Sequence, residues 1–277
     1  MHMRRWAAPG VMVVSGVSLY AGAAIAVDLF ESFSPVLVAW LRIAGAAVLL
    51  LALNRPRLRA FRGRTGLVAA TFGLFTLLMN MSFYEAIARL PMGTAVAIEF
   101  LGPIAVAAFG SRGVRDIVAL ILAGTGVVVL SGALWSDSAV GIFFALLAGT
   151  FWAGYILLGN RIASDAATAR SAISVGFFWA AVAMLPVALI LWPQNVGMNA
   201  PALVGLIAGL ALLSAAVPYS LDQVVMRMAG PAGFALLQAV MPIVSVVIAA
   251  VMLGQWLSAA EIFGIVLVAA AVALRRA

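Results

Sequence analysis

GTAVAIEFLGPIAVAAFG, residues 93–110, is long and apolar enough to cross a bilayer as a helix, yet it holds Glu99 near its middle and Pro103 one turn later. A spanning helix satisfies its backbone groups internally. A proline in mid-span frees the carbonyl four residues back, and a carboxylate in hydrocarbon costs several kcal/mol unless it is neutralised, paired or hydrated. The rest of the chain has the same character. Of its 277 residues, 66% are hydrophobic and 9% charged, against about 45–50% and about 25% in soluble domains. This composition requires lipid, or other membrane helices, as the solvent for most side chains.

Two absences narrow the chemistry. All sixteen basic residues are arginine, and there is no cysteine. Without lysine there is no Walker-type phosphate loop and no Schiff base to retinal or pyridoxal phosphate. Without cysteine there is neither a disulfide framework nor a thiolate metal site. The only histidine is His2, in the N-terminal tail, which leaves no Ser-His dyad, no HExxH helix and no bis-histidine haem site. No catalytic residue, cofactor or metal is expected.

About 20 apolar residues cover a ~30 Å hydrocarbon core. Ten runs meet that length, near 9–27, 35–53, 66–88, 92–110, 114–132, 139–159, 171–192, 201–221, 232–253 and 258–274. Pro35, Pro91 and Pro201 stand at helix starts, where a missing N–H costs nothing. The first run exceeds a signal-peptide h-region and nine more follow it, so it reads as an uncleaved span. The expected fold is all-α: one polytopic membrane domain with short connections and no soluble domain.

The arginines orient it. With a cytoplasmic N-terminus, the inside tails and loops hold Arg4, Arg5, five arginines from Arg55 to Arg64, Arg112, Arg115, Arg161, Arg170, Arg227, Arg275 and Arg276. The other side keeps Arg89 together with Asp28, Glu31 and Asp137, and Arg42 lies within a span. By the positive-inside rule both termini are cytoplasmic. The net charge of +7 is then a topology signal, not a nucleic-acid site.

The opening stretch has a counterpart in GFALLQAVMPIVSVVIA, residues 233–249, where Gln238 precedes Pro242 as Glu99 precedes Pro103. Arg89 and Arg227 stand upstream of the two prolines, and Gly124 and Gly264 downstream, at matching distances. The chain thus divides at 1–132 and 133–277 into five-plus-five helices. An odd-numbered repeat puts its second copy upside down, the inverted plan of many secondary transporters, whose substrate site lies near the midplane. Pro103 and Pro242 are the expected hinge or kink points.

FYEAIARLPMGTAVAIEFLGPIAVA at 83–107, FWAGYILLGNR at 151–161 and VPYSLDQ at 217–223 resemble the ten-helix drug/metabolite transporter superfamily, and within it the bacterial threonine/homoserine exporter branch. The resemblance spans essentially the whole chain. It implies a bacterial inner-membrane location, alternating access and export of small amino acids or related metabolites. The chain departs from that family at Gln255 and Met241, where a glutamate is common, and at Glu85, where a small polar residue is expected. These departures bear on substrate and proton coupling, not on the fold.

The buried polar residues supply the site. Glu99 lies roughly 12 Å past Pro91 and Arg42 roughly 10 Å past Pro35, at 1.5 Å per residue. The matched depths allow an ion pair, which would make Glu99 a structural clamp; unpaired, Glu99 is a substrate-amine acceptor or proton carrier. Glu85 and Arg89 have i,i+4 spacing, and Asp222 falls near an inner helix end. Gly73, Thr76, Asn80 and Tyr84 recur on one face of the third span, as do Trp152, Tyr155 and Gly159 on the sixth and Gln238, Pro242 and Ser245 on the ninth. Such stripes serve close packing or a cavity wall.

The expected binding cavity is lined by Asn80, Tyr84, Glu99, Trp152, Tyr155, Tyr219, Gln238 and Arg42. The residues indicate a polar-lined membrane cavity for a small molecule, in contact with lipid; amino acids follow from the resemblance. Efflux of aromatic amino acids, nucleosides or cationic drugs is the alternative. A lipid-modifying enzyme lacks a nucleophile, base or metal, and a scaffold needs no inward polar stripes. Proton coupling stays open, and these features carry no signal for oligomeric state.

Overall fold

A computed structural model describes residues 2–109, 135–163, 166–194, 196–197, 199–222 and 237–274, with single positions between 114 and 129 and between 224 and 228. Among the described residues every regular element is helical. The elements are α1 (His2–Leu29), α2 (Pro35–Asn54), α3 (Gly63–Ile87), α4 (Met92–Glu99), α5 (Leu101–Phe109), α6 (Trp135–Ala163, with a backbone break at Ser138), α7 (Ala166–Ile190), α8 (Ala200–Ala211), α9 (Met241–Leu253) and α10 (Ala259–Leu274). A 3-10 turn, Leu58–Phe61, lies between α2 and α3, and a second, Gln238–Val240, leads into α9. Among the described residues six helices are long and apolar enough to cross a membrane and three shorter apolar ones accompany them. The expected fifth span, 114–132, and residues 232–236 of the ninth fall largely outside the described residues.

Local chemistry sets the helix ends. Ser34 accepts a hydrogen bond from the Leu37 N–H at 3.3 Å, with Pro35 at the first turn of α2. Asn199 does the same for Ala202 at 2.9 Å, ahead of Pro201 in α8. Gly254 ends α9 in the left-handed conformation (φ 63°), open to glycine at no steric cost. Ser258 and Glu261 form a reciprocal capping box at α10, the Ser258 N–H donating to Glu261 at 2.8 Å and the Glu261 N–H to Ser258 at 3.3 Å. The opening stretch splits at Phe100 into α4 and α5, as Pro103 in the following turn requires.

Packing centres on α3, which lies against α6 and α7, while α2 crosses α7 and α1 crosses α9. Helices associate in lipid by close approach of small residues. A Cβ on Gly102 would sit 1.9 Å from the Gly149 carbonyl oxygen, and one on Gly73 would sit 2.0 Å from that of Gly176. Gly73 therefore belongs to a helix crossing; the polar stripe it heads on α3 serves packing at that end and a cavity further along.

Candidate functional site

A cavity with an empty volume of about 660 Å³, counting the part open to solvent, lies among α1, α2, α3, α4, α6, α8 and the turn before α9. Of the expected lining residues, Asn80, Glu99, Trp152, Tyr155, Tyr219, Gln238 and Arg42 are in its wall. Tyr84 is not. It is fully buried behind the wall, with the Arg42 guanidinium over its ring at 5.6 Å and Phe30 edge-on at 5.6 Å. Tyr84 follows Asn80 by one helical turn, and Arg42 lies over its ring.

Arg42 is 1% exposed, so its charge must be met within the protein. The matched depths suggested Glu99, but no ion pair joins them; among the described residues the one ion pair is the expected Arg89–Glu85. Arg42 donates instead to Asn80 Oδ1 and to the Ser214 carbonyl. The reason lies in the continuation of α8, whose apolar span runs on from Ala211 to Asp222 and counts as part of it. Pro218 has no N–H to offer the carbonyl four residues earlier, which is that of Ser214, and Leu212–Ala216 widens into a π turn. Ser18 donates to the neighbouring Leu213 carbonyl at 2.6 Å. Arg42 and Ser18 thus satisfy an irregular stretch of α8, a common setting for functional sites.

The same bonds fix Asn80. Its Oδ1 accepts from Arg42, while its Nδ2 donates to the Thr76 carbonyl at 2.6 Å and to the Tyr219 hydroxyl at 3.2 Å. Both amide hydrogens are spent. Each terminal nitrogen of Arg42 gives one N–H to the protein and keeps one. Phe100 holds Trp152 edge-on at 4.7 Å, and Phe72 and Phe177 flank Tyr155 and Tyr219 at 4.8 and 5.4 Å.

Glu99 is 7% exposed, in the cavity wall, and without a hydrogen-bond or ion-pair partner among the described residues. A second carboxylate, Asp222, also lines the cavity and accepts from the Ser15 hydroxyl at 2.7 Å. Ser15 and Tyr20, both on α1, are wall residues that sequence reasoning missed. Tyr20 has no hydrogen-bond partner among the described residues. The chamber combines two acids, one engaged cation and an aromatic surround, which suits a small molecule carrying an ammonium group.

Residues 139–275 match the EamA-like transporter family. Over 268 residues the chain is 31% identical to the threonine/homoserine exporter RhtA of Escherichia coli K12, covering 94% of this chain and 88% of the exporter. The RhtA of Salmonella typhimurium LT2 is 30% identical over 269 residues with the same coverage. A crystal structure of 17% identity superposes with a TM-score of 0.66 over 96% of each chain, a likeness of fold. With a relative above 30% identity along nearly its whole length, the chain belongs to the EamA-like transporters of the drug/metabolite transporter superfamily and resembles their threonine/homoserine exporter branch.

Proposed function

We propose that the protein is a secondary transporter of the bacterial inner membrane that exports small amino acids of the threonine and homoserine kind by alternating access. The observation that carries this is the unpartnered, buried Glu99 in a cavity built from both halves of the chain. The substrate ammonium is met by Glu99. Its carboxylate is met by the remaining N–H groups of Arg42 and the hydroxyl of Tyr219 or Tyr20, since Asn80 has no donor left. The names of the curated relatives give the substrate class. The arginine distribution supports cytoplasmic termini.

Helix contacts support the inverted five-plus-five repeat and its halves at 1–132 and 133–277. If α1, α2, α3 and α4–α5 correspond to α6, α7, α8 and α9, contacts should occur in exchanged pairs. They do: α3 meets α6 as α8 meets α1, α3 meets α7 as α8 meets α2, and α5 meets α6 as α9 meets α1. A pair of related halves around one cavity is the plan that permits access from alternate sides.

Counterflow into proteoliposomes tests the reading. Vesicles loaded with threonine should accumulate labelled threonine or homoserine, and not purines or cationic dyes. Exchange of dyes or aromatic amino acids with none of threonine would replace the substrate class, and the aromatic wall with two acids is what favours that second reading.

A further inference from the structure

The connection from α2 to α3 carries Arg55, Arg57, Arg59, Arg62 and Arg64, all exposed, and no acidic residue lies between Glu31 and Glu85. Topology asks only that positive charge sit near span ends; it asks for no particular fold. This connection is folded. Arg55 closes α2 in a left-handed conformation (φ 43°), its N–H bonded to the Leu51 carbonyl at 3.0 Å. The turn Leu58–Phe61 is held by the Ala60 N–H to Arg57 at 2.8 Å and the Arg62 N–H to Arg59 at 3.3 Å.

At three residues per turn, side chains i and i+3 stand above one another. Leu58 and Phe61 therefore share one side, Arg59 projects from another, and Arg62 follows at the extended end of the turn. The apolar side is fastened to α7: the Phe61 ring meets Phe178 edge-on at 5.3 Å, and its carbonyl accepts from the Trp179 indole N–H at 3.2 Å. Leu58, on that side, is 83% exposed. The basic side has nothing to bind within the protein. None of the five guanidinium groups has an ion-pair or hydrogen-bond partner among the described residues.

We propose that this turn is a binding site for the headgroups of anionic phospholipids, with Arg57, Arg59 and Arg62 taking phosphate oxygens and Leu58 entering the acyl region. Guanidinium forks match phosphate geometry and hold it by charge-assisted bonds. Basic residues beside a span attract anionic lipid, each adding to the affinity. The exposed Leu58, in the same turn as the Phe61 that meets Phe178 and Trp179, the last a residue type that favours the membrane interface, points to an amphiphile rather than a free phosphate ion. The site stands whether or not the cavity takes an amino acid.

The test is the thermal unfolding midpoint of the full-length protein in nonionic detergent. Phosphatidylglycerol should raise it by roughly 5–10 °C, the shift given by a ligand at about a hundredfold its dissociation constant. Phosphatidylcholine and inorganic phosphate should not, and about 1 M salt, where the Debye length falls to about 3 Å, should remove most of the shift. Arg59→Gln with Arg62→Gln should at least halve the shift with the lipid-free midpoint unchanged, since neither side chain has a partner to lose. Arg59→Lys with Arg62→Lys should keep most of it. Should the glutamine pair insert poorly, Leu58→Gln keeps every charge and should also weaken the lipid response. A phosphatidylglycerol shift that survives in these variants, or that phosphatidylcholine or phosphate reproduces, overturns the site.

Discussion

Under the proposed repeat, Glu99 with Pro103 corresponds to Gln238 with Pro242, and the two polar residues are equally buried, at 7% and 8% exposed. Their surroundings differ. Pro242 frees the Gln238 carbonyl, and a 3-10 turn recovers it through the Met241 N–H. Pro103 frees the Glu99 carbonyl, which instead lies against Gly149, where a Cβ would come within 2.7 Å of it. The amide-bearing turn settles its irregularity locally. The acid-bearing turn does so through a neighbouring helix and leaves its carboxylate to the cavity, so chemistry and tight packing concentrate on the same turn.

Exchanging the polar groups tests that contrast most severely. Glu99→Gln should insert and fold, because no partner is lost, yet reduce counterflow at least a hundredfold, about 2.7 kcal/mol of binding or barrier. Gln238→Ala should cost less than tenfold. Equal losses at the two positions would mean that the carboxylate has no special part.

The packing side of the contrast comes next. Gly102→Ala drives a methyl into the Gly149 backbone, which cannot step aside, and should destabilise by about 3 kcal/mol. The crossing of α1 with α9, its counterpart in the proposed repeat, is looser: a Cβ on Gly16 meets the Met241 sulfur at 2.9 Å, the flexible end of an adaptable side chain. Gly16→Ala should cost under about 1 kcal/mol. Comparable midpoints for the two variants would remove the packing difference between the halves.

Arg42 gives a smaller, diagnostic effect. Arg42→Met leaves the Ser214 carbonyl and Asn80 Oδ1 without their donor and should cost about 2 kcal/mol. Glu99→Gln should not rescue it. A coupling of under about 1 kcal/mol in the double-mutant cycle is expected if the two are not paired; full rescue would restore the ion-pair clamp.

How far these features could be read beforehand depended on the range of the signal. The starts of α2, α4 and α8 were legible because Pro35, Pro91 and Pro201 act within one turn. The partner of Arg42 was not, because depth along the membrane gives no direction around a helix. A usable signal was nevertheless present: Pro218 marks the Ser214 carbonyl as needing a donor, and Arg42 supplies it. Tyr84 shared the helical spacing of Asn80 but lies beneath Arg42, and only the approach of a second helix decides which member of a stripe reaches a cavity. Ser15 and Tyr20 carried no signal beyond their presence in the first span.

The least effect is expected at the loop between α9 and α10, where the two halves meet again. Gln255 Oε1 accepts from the Met92 N–H at 3.0 Å and so caps α4 from the other half of the chain. The Thr94 hydroxyl, two residues further along α4, donates to Glu261 at 3.2 Å. Removing a capping acceptor costs about 1 kcal/mol, so Gln255→Ala should lower the unfolding midpoint by roughly 3 °C. Gln255→Glu keeps the oxygen and adds a negative charge at the positive end of α4, worth about 0.3–1 kcal/mol at such a terminus. The proximity of Glu261 opposes that gain. A midpoint at or slightly above that of the unsubstituted protein is expected for Gln255→Glu, with the gain enlarged when Glu261→Gln removes the opposing charge. A fall as large as that of Gln255→Ala would show that Met92 is held by something other than this oxygen, and that the two halves are not joined here.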